Sequence, residues 1–188
     1  NLDEVQEIAN YLQKKGVIFL IDEAYADFAP GSSDVIVKKY KNVVISRTFS
    51  KSMGAAGARI GYLLGSEQII SAASKLKLTF PLTQISTKFG IKLMENINIF
   101  KEYANQTIEE RNKIYKMFDD SNYDVINSNC NWIHFNDKNN NNYAQGILES
   151  YGVGYKNLAR IPNDDRDNWI RLAVGPGMSE NKFIKKLL

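Results

Sequence analysis

The chain reads as α/β, on three observations. Continuous β-rich apolar runs alternate with helix-like stretches up to about residue 98, a long charged helical stretch follows, and after Asp120 short strands mix with helices. In order, the first helix is expected from Asp3, as N-cap, to about Lys15. Leu2, Val5, Ile8, Ala9 and Leu12 share one face, and Gly16 is its stop. Val17 to Ile21 is an unbroken apolar run that predicts a buried parallel strand, ending at Asp22. Ligands of open α/β sheets bind at the carboxyl ends of strands, so a carboxylate there is well placed for chemistry.

Pro30-Gly31-Ser32-Ser33 predicts a loop, with a short helix from Val35 to Tyr40. A second buried strand is expected at Val43 to Ser46 and a third at Ile60 to Gly65. Ser66 then caps a helix to about Leu76, and Pro81 breaks the chain. Further helices are expected at Gln84 to Glu95 and Ile99 to Phe118, the second half-solvated and long enough to bridge two domains. Tyr123 to Val125, Trp132 to Phe135, Val153 to Lys156 and Trp169 to Val174 read as short strands. Helices are expected from Tyr143 to Tyr151 and from Ser179, and the run Asn139 to Asn142 reads as an exposed turn. The expected division is residues 1–98, part of a large mostly parallel sheet domain, and residues 99–188, a linking helix with a small α+β domain.

The 188 residues are 44% apolar and 24% charged, ordinary for a soluble globular protein. A net charge of +3 without a dense basic stripe argues against nucleic acid, and Lys185-Lys186 reads as a solvated helix face. Cys130 is the sole cysteine, so no intrachain disulfide forms and a reducing, cytoplasmic setting is expected. No apolar run approaches the roughly 18 residues of a membrane span, and no signal peptide is expected. The chain starts at Asn1, without an initiator methionine, and is expected to be a piece of something longer. The sole histidine, His134, reads as a strand residue, and no metal-ligand cluster is present.

The chemistry concentrates in Ser46-Arg47-Thr48-Phe49-Ser50-Lys51-Ser52-Met53-Gly54-Ala55-Ala56-Gly57-Ala58-Arg59-Ile60-Gly61-Tyr62, downstream of Asp22-Glu23-Ala24-Tyr25. Together these are the groups that hold pyridoxal phosphate (PLP) as a Schiff base. The Lys51 amine bonds the aldehyde and can then carry a proton between the substrate's α-carbon and the cofactor. Thr48, Ser50 and Arg59 form a cup for the phosphate, Arg59 as a permanent, bidentate cation. Asp22 meets the ring nitrogen and Tyr25 the ring oxygen. Alone, Asp22 would read as a structural carboxylate, Tyr25 as a core tyrosine and Lys51 as a surface lysine; the combination favours function. Glu23 is expected to point away from Asp22, because neighbouring strand residues alternate, and takes no role. Arg171 sits in an apolar strand, where a cation needs a partner: a substrate carboxylate, or an internal salt bridge.

These motifs resemble the class I/II aminotransferase family of fold-type I PLP enzymes, nearest its histidinol-phosphate aminotransferase branch. Asp22-Glu23-Ala24-Tyr25, Arg47 to Lys51, Gly54 to Tyr62, and Ile170-Arg171-Leu172 followed by Gly175 match in order and rough spacing. The resemblance covers essentially the whole chain, as the C-terminal half of such an enzyme. It implies the roles above and gives Arg171 the substrate's α-carboxylate. Lys156 stands near a second substrate-facing arginine of that branch, with Arg160 a few residues on. It also implies a homodimer acting on an amino acid and a keto acid. Alternatives are a PLP-dependent decarboxylase of an amino acid phosphate (threonine-phosphate decarboxylase-like) and a non-catalytic module on the same fold.

Overall fold

A computed structural model of the chain describes residues 1–31, 33–137, 142–158 and 169–188. Its contacts group into two compact units, Asn1–Lys101 and Glu102–Leu188.

The first unit opens with α1 (Leu2–Lys14), and its cap differs from the expected one. Asn1, not Asp3, accepts the N–H groups of Asp3 and Glu4, while the Glu4 carboxylate takes the Asn1 amine at 3.0 Å. Asp3 falls in the first turn, where a carboxylate suits the helix dipole. Gly16 ends the helix at φ +69°, a left-handed position suited to glycine. Then follow β1 (Phe19–Asp22), α2 (Asp34–Lys39), β2 (Val43–Thr48) and β3 (Gly61–Gly65). The sheet order is β1-β2-β3, with β1 and β2 parallel and β3 antiparallel to β2.

Alternation sends Phe19, Ile21, Val43, Ile45 and Leu64 to one face, where they pack on Ala9 of α1 and on Ile36 and Tyr40. The other face carries Leu20, Asp22, Val44, Ser46, Thr48 and Leu63 in register. Ser66 stands at the N-cap position of α3 (Glu67–Ser74) but does not cap it with its side chain. Its hydroxyl donates instead to Lys41 O at 2.9 Å. α4 (Gln84–Glu95) is capped by Thr83, whose hydroxyl accepts from Ser86 N at 3.0 Å. α4 lies against a small core of Phe49, Ala55, Ile60 and Leu93. A Cβ at Gly90 would stand 2.9 Å from Ile60 Cδ1, so glycine permits this close approach under the Lys51 loop.

α5 (Ile97–Asp119) is half-solvated, as its charge pattern predicts, except at Glu110 and Arg111, each only 4% exposed. Both are paired inside the second unit: Glu110 accepts from Ser179 N at 2.5 Å, and Arg111 Nη1 donates to Cys130 O at 2.9 Å. β4 (Tyr123–Ile126), β5 (Trp132–Asp137), α6 (Tyr143–Ser150), β6 (Lys156–Asn157), β7 (Trp169–Ala173) and α7 (Lys182–Leu187) complete the chain. The antiparallel sheet runs β4-β5-β7-β6. The strand expected from Val153 begins only at Lys156. Val153 instead packs against the core and donates its N–H to Leu148 O at 2.8 Å, closing α6. That core joins Ile114 and Phe118 of α5 to Ile133, Phe135, Ile170 and Leu172 of the sheet and Ile184 of α7. Arg160 and Asn139–Asn141 lie outside the described residues. Among the described residues, no helix is long and apolar enough to cross a membrane.

Candidate active site

The candidate groups of the first unit gather at the adjacent ends of β1 and β2. Asp22 closes β1 in register with Ser46. Its Oδ1 accepts from Ser46 Oγ at 3.1 Å and from Ala24 N at 3.0 Å, which fixes the carboxylate and leaves Oδ2 available. Tyr25 stands at the start of a 3-10 turn over Ala26–Phe28. The Lys51 ammonium lies 4.9 Å from the centroid of the Tyr25 ring, within cation–π range. Asp22, Tyr25 and Lys51, read as a set from the sequence, thus come from the end of β1 and from the loops that follow β1 and β2.

Thr48 ends β2, and its Oγ1 lies 2.9 Å from Ser50 Oγ and 3.2 Å from Ile60 O, while Ser50 N donates to it at 3.1 Å. The two hydroxyls form one cluster at the mouth of the loop. The loop closes where Phe49 N–H donates to Ile60 O at 3.0 Å. Arg59 lies one residue before that closure, exposed, at φ +54° and ψ +40°. A left-handed backbone costs a non-glycine residue about 1–2 kcal/mol. Such strain at a candidate site points toward function. Its Nη1 donates to Ala56 O at 3.4 Å, a long bond that an anion can displace.

A second layer was not legible in the sequence. Glu23 does turn away from Asp22, but it is not idle. Its Oε2 accepts from Arg47 Nε at 3.0 Å and Nη2 at 2.7 Å, and its Oε1 accepts from Ser33 N at 2.8 Å. Arg47 pairs across the ladder with Tyr62. Burial works against the Arg47 cation, yet hydrogen bonds with Glu23 and Tyr62 outweigh it and raise the pKa. One clamp therefore ties all three strands beside the candidate groups. The only available signal was Arg47 itself, a cation inside a β-rich run that needs a partner.

In the second unit, Arg171 lies in the middle of β7, directly opposite His134 of β5 and Lys156 of β6. His134 stacks on Trp132 at 4.3 Å, and the Arg171 guanidinium lies 5.9 Å from the Trp132 ring. Among the described residues Arg171 forms no ion pair. Two cations directly opposite in a ladder repel each other, and an anion between them relieves that cost.

An amine, a fixed carboxylate and a hydroxyl cluster stand together at the carboxyl ends of adjacent parallel strands, where ligands of open α/β sheets bind. Residues 1–185 match the family model "Aminotransferase class I and II", and the chain belongs to that family. It is 36% identical over 185 residues to the histidinol-phosphate aminotransferase of Thermotoga neapolitana, covering 98% of this chain and 52% of that relative. Among solved structures, the histidinol-phosphate aminotransferase from Sinorhizobium meliloti in complex with pyridoxal-5'-phosphate is 24% identical. It matches with a TM-score of 0.71, over 97% of this chain and 53% of that one. The L-threonine-O-3-phosphate decarboxylase from Porphyromonas gingivalis shares the fold with a TM-score of 0.81 at 16% identity, over 100% of this chain and 58% of its own. The chain spans about half the length of the relatives it matches.

Proposed function

We propose that this chain carries the lysine-bearing part of a PLP-dependent aminotransferase of the histidinol-phosphate aminotransferase type, moving an amino group between an amino acid and a keto acceptor. The observation that carries the reading is the Lys51 amine held 4.9 Å from the Tyr25 ring beside the strand ends that bear Asp22 and Thr48. The donor set fits PLP: an amine for the aldehyde, a carboxylate with one oxygen available for the ring nitrogen, and hydroxyls with a guanidinium for the phosphate. PLP, when bound, supplies an electron sink for the substrate's α-carbon.

The chain's own residues do the rest. Asp22 would hold the proton on the ring nitrogen, since a carboxylate beside that nitrogen favours its protonated form. Tyr25 donates to the ring oxygen and keeps the Lys51 stem in place. Lys51 Nζ would be the nucleophile toward the cofactor's aldehyde and would carry the proton to and from the substrate's α-carbon. Thr48, Ser50 and Arg59 bind phosphate oxygens. Arg171 and Lys156 bind the substrate's acidic groups, which relieves their own repulsion. Residues 1–98 belong to the large PLP-binding domain, and residues 99–188 form the interdomain helix and small domain. The enzyme works in the cytoplasm as a homodimer.

The test supplies the natural-length protein with PLP and a panel of amino donors. Turnover that depends on a keto acid is the expected result. Carbon dioxide released from an amino acid phosphate, without keto-acid dependence, would replace transfer by decarboxylation. A folded protein that binds PLP but does neither would leave the non-catalytic module.

A further inference from the structure

One contact outside the set described above ties the Lys51 turn to the Tyr25 segment. Ser52 Oγ donates to Asp27 Oδ2, joining side chains 25 residues apart. Ser52 follows Lys51 directly and is 5% exposed. Asp27 lies in the 3-10 turn that Tyr25 begins. With a carboxylate acceptor, this is a charge-assisted bond, the stronger kind.

Lysine has a long, flexible stem, so its amine is only as well placed as the backbone beneath it. The other bonds of this turn, Gly54 N–H to Lys51 O and Ala55 N–H to Phe49 O, both at 3.0 Å, shape the loop internally. They do not attach it to the segment that carries Tyr25. The Ser52–Asp27 bond does, one residue from Lys51 and two from Tyr25.

We propose that Asp27, acting through Ser52, is a positioning residue that holds the Lys51 amine over the Tyr25 ring. The inference rests on the reading of Lys51 as the amine that reacts with PLP. The experiment uses the natural-length protein in four forms: wild type, Ser52→Ala, Asp27→Ala and the double variant. Each is mixed with PLP, quenched with borohydride over a time course, and mapped by peptide mass. The readout is the rate of adduct formation at Lys51 relative to that at surface lysines, which a general loss of stability does not move selectively.

Each single variant is expected to slow the Lys51 rate about tenfold, the worth of one hydrogen bond to a charged acceptor. The double variant is expected to be no slower than either single one, because both remove the same bond. Single variants that react at the wild-type rate, or a double variant slowed by the product of the two, would overturn the proposal. Should Ser52→Ala fail to fold, Asp27→Asn keeps the shape at an exposed position and must itself slow the reaction. A wild-type protein with no adduct at Lys51 would overturn the PLP reading beneath it, an outcome distinct from unaffected variants.

Discussion

In the Asn1–Lys101 unit the candidate groups Asp22, Tyr25, Ser50 and Lys51 stand at or beyond strand ends, whereas in the Glu102–Leu188 unit Arg171 and Lys156 stand in paired strands. The first set is held by side-chain bonds: Ser46 to Asp22, Arg47 to Glu23, Ser52 to Asp27. The second set rides on a ladder above a packed core that includes Phe118, Phe135 and Leu172, each at most 1% exposed. The first set thus depends on a few polar bonds at strand ends and loops, the second on a paired ladder over an apolar core. Single polar substitutions should therefore disturb the first unit, while only core substitutions should disturb the framework of the second.

The largest effect on stability tests the second half of that contrast. Phe118→Ala opens a cavity against Tyr123 and Phe135, whose rings lie 5.2 and 4.7 Å away, and should cost about 3–5 kcal/mol in denaturant melts. A cost near zero would mean that this core is not what holds the sheet. Next comes charge. Arg171→Leu should raise KM for the acidic substrate about a hundredfold, with stability unchanged or slightly improved, because a like-charge pair is relieved. Lys156→Ala, at an exposed position, should raise it less. Steady-state kinetics and melting of the same preparations read both.

Arg47→Met strands the Glu23 carboxylate, only 10% exposed, and should cost about 2–3 kcal/mol. Adding Glu23→Gln should restore part of it, and a double-mutant cycle measures the coupling. The smallest effect is on pH. Burial, helped by the Asp137 carboxylate and by Tyr143, pushes the Tyr123 phenol up to about 12. The unfolded phenol ionises near its ordinary value of about 10. The neutral folded form therefore contributes fully below about pH 10, and that contribution is lost as pH rises through the folded value of about 12. Tyr123→Phe should flatten that alkaline decline in melts taken across the range. At the acid end, burial alone would raise the Glu110 carboxyl, but hydrogen bonds from Ser179 lower it overall. Its contribution is present above the ordinary glutamate range and fades as pH falls through the lowered value.

Much of this was legible in the sequence, for identifiable reasons. An apolar run ending in Asp22 marks a strand end, and the string around Lys51 is too specific to be a solvated loop. The α4 span was legible, and the structure returns the expected bounds, Gln84–Glu95. What stayed hidden depends on pairing between distant segments. The Glu23–Arg47 clamp spans 24 residues and the Ser52–Asp27 contact 25. The row of His134, Arg171 and Lys156 needs a register that no single strand encodes. The late start of β6 and the burial of Glu110 and Arg111 were likewise decided by tertiary partners, not by local pattern.

Whether Lys51 is the reacting amine is read by borohydride trapping of the natural-length protein with PLP, followed by peptide mass mapping. A stable adduct on Lys51 that Lys51→Ala abolishes is the expected result. A folded protein that yields no adduct there, or one on another lysine that survives Lys51→Ala, would contradict it.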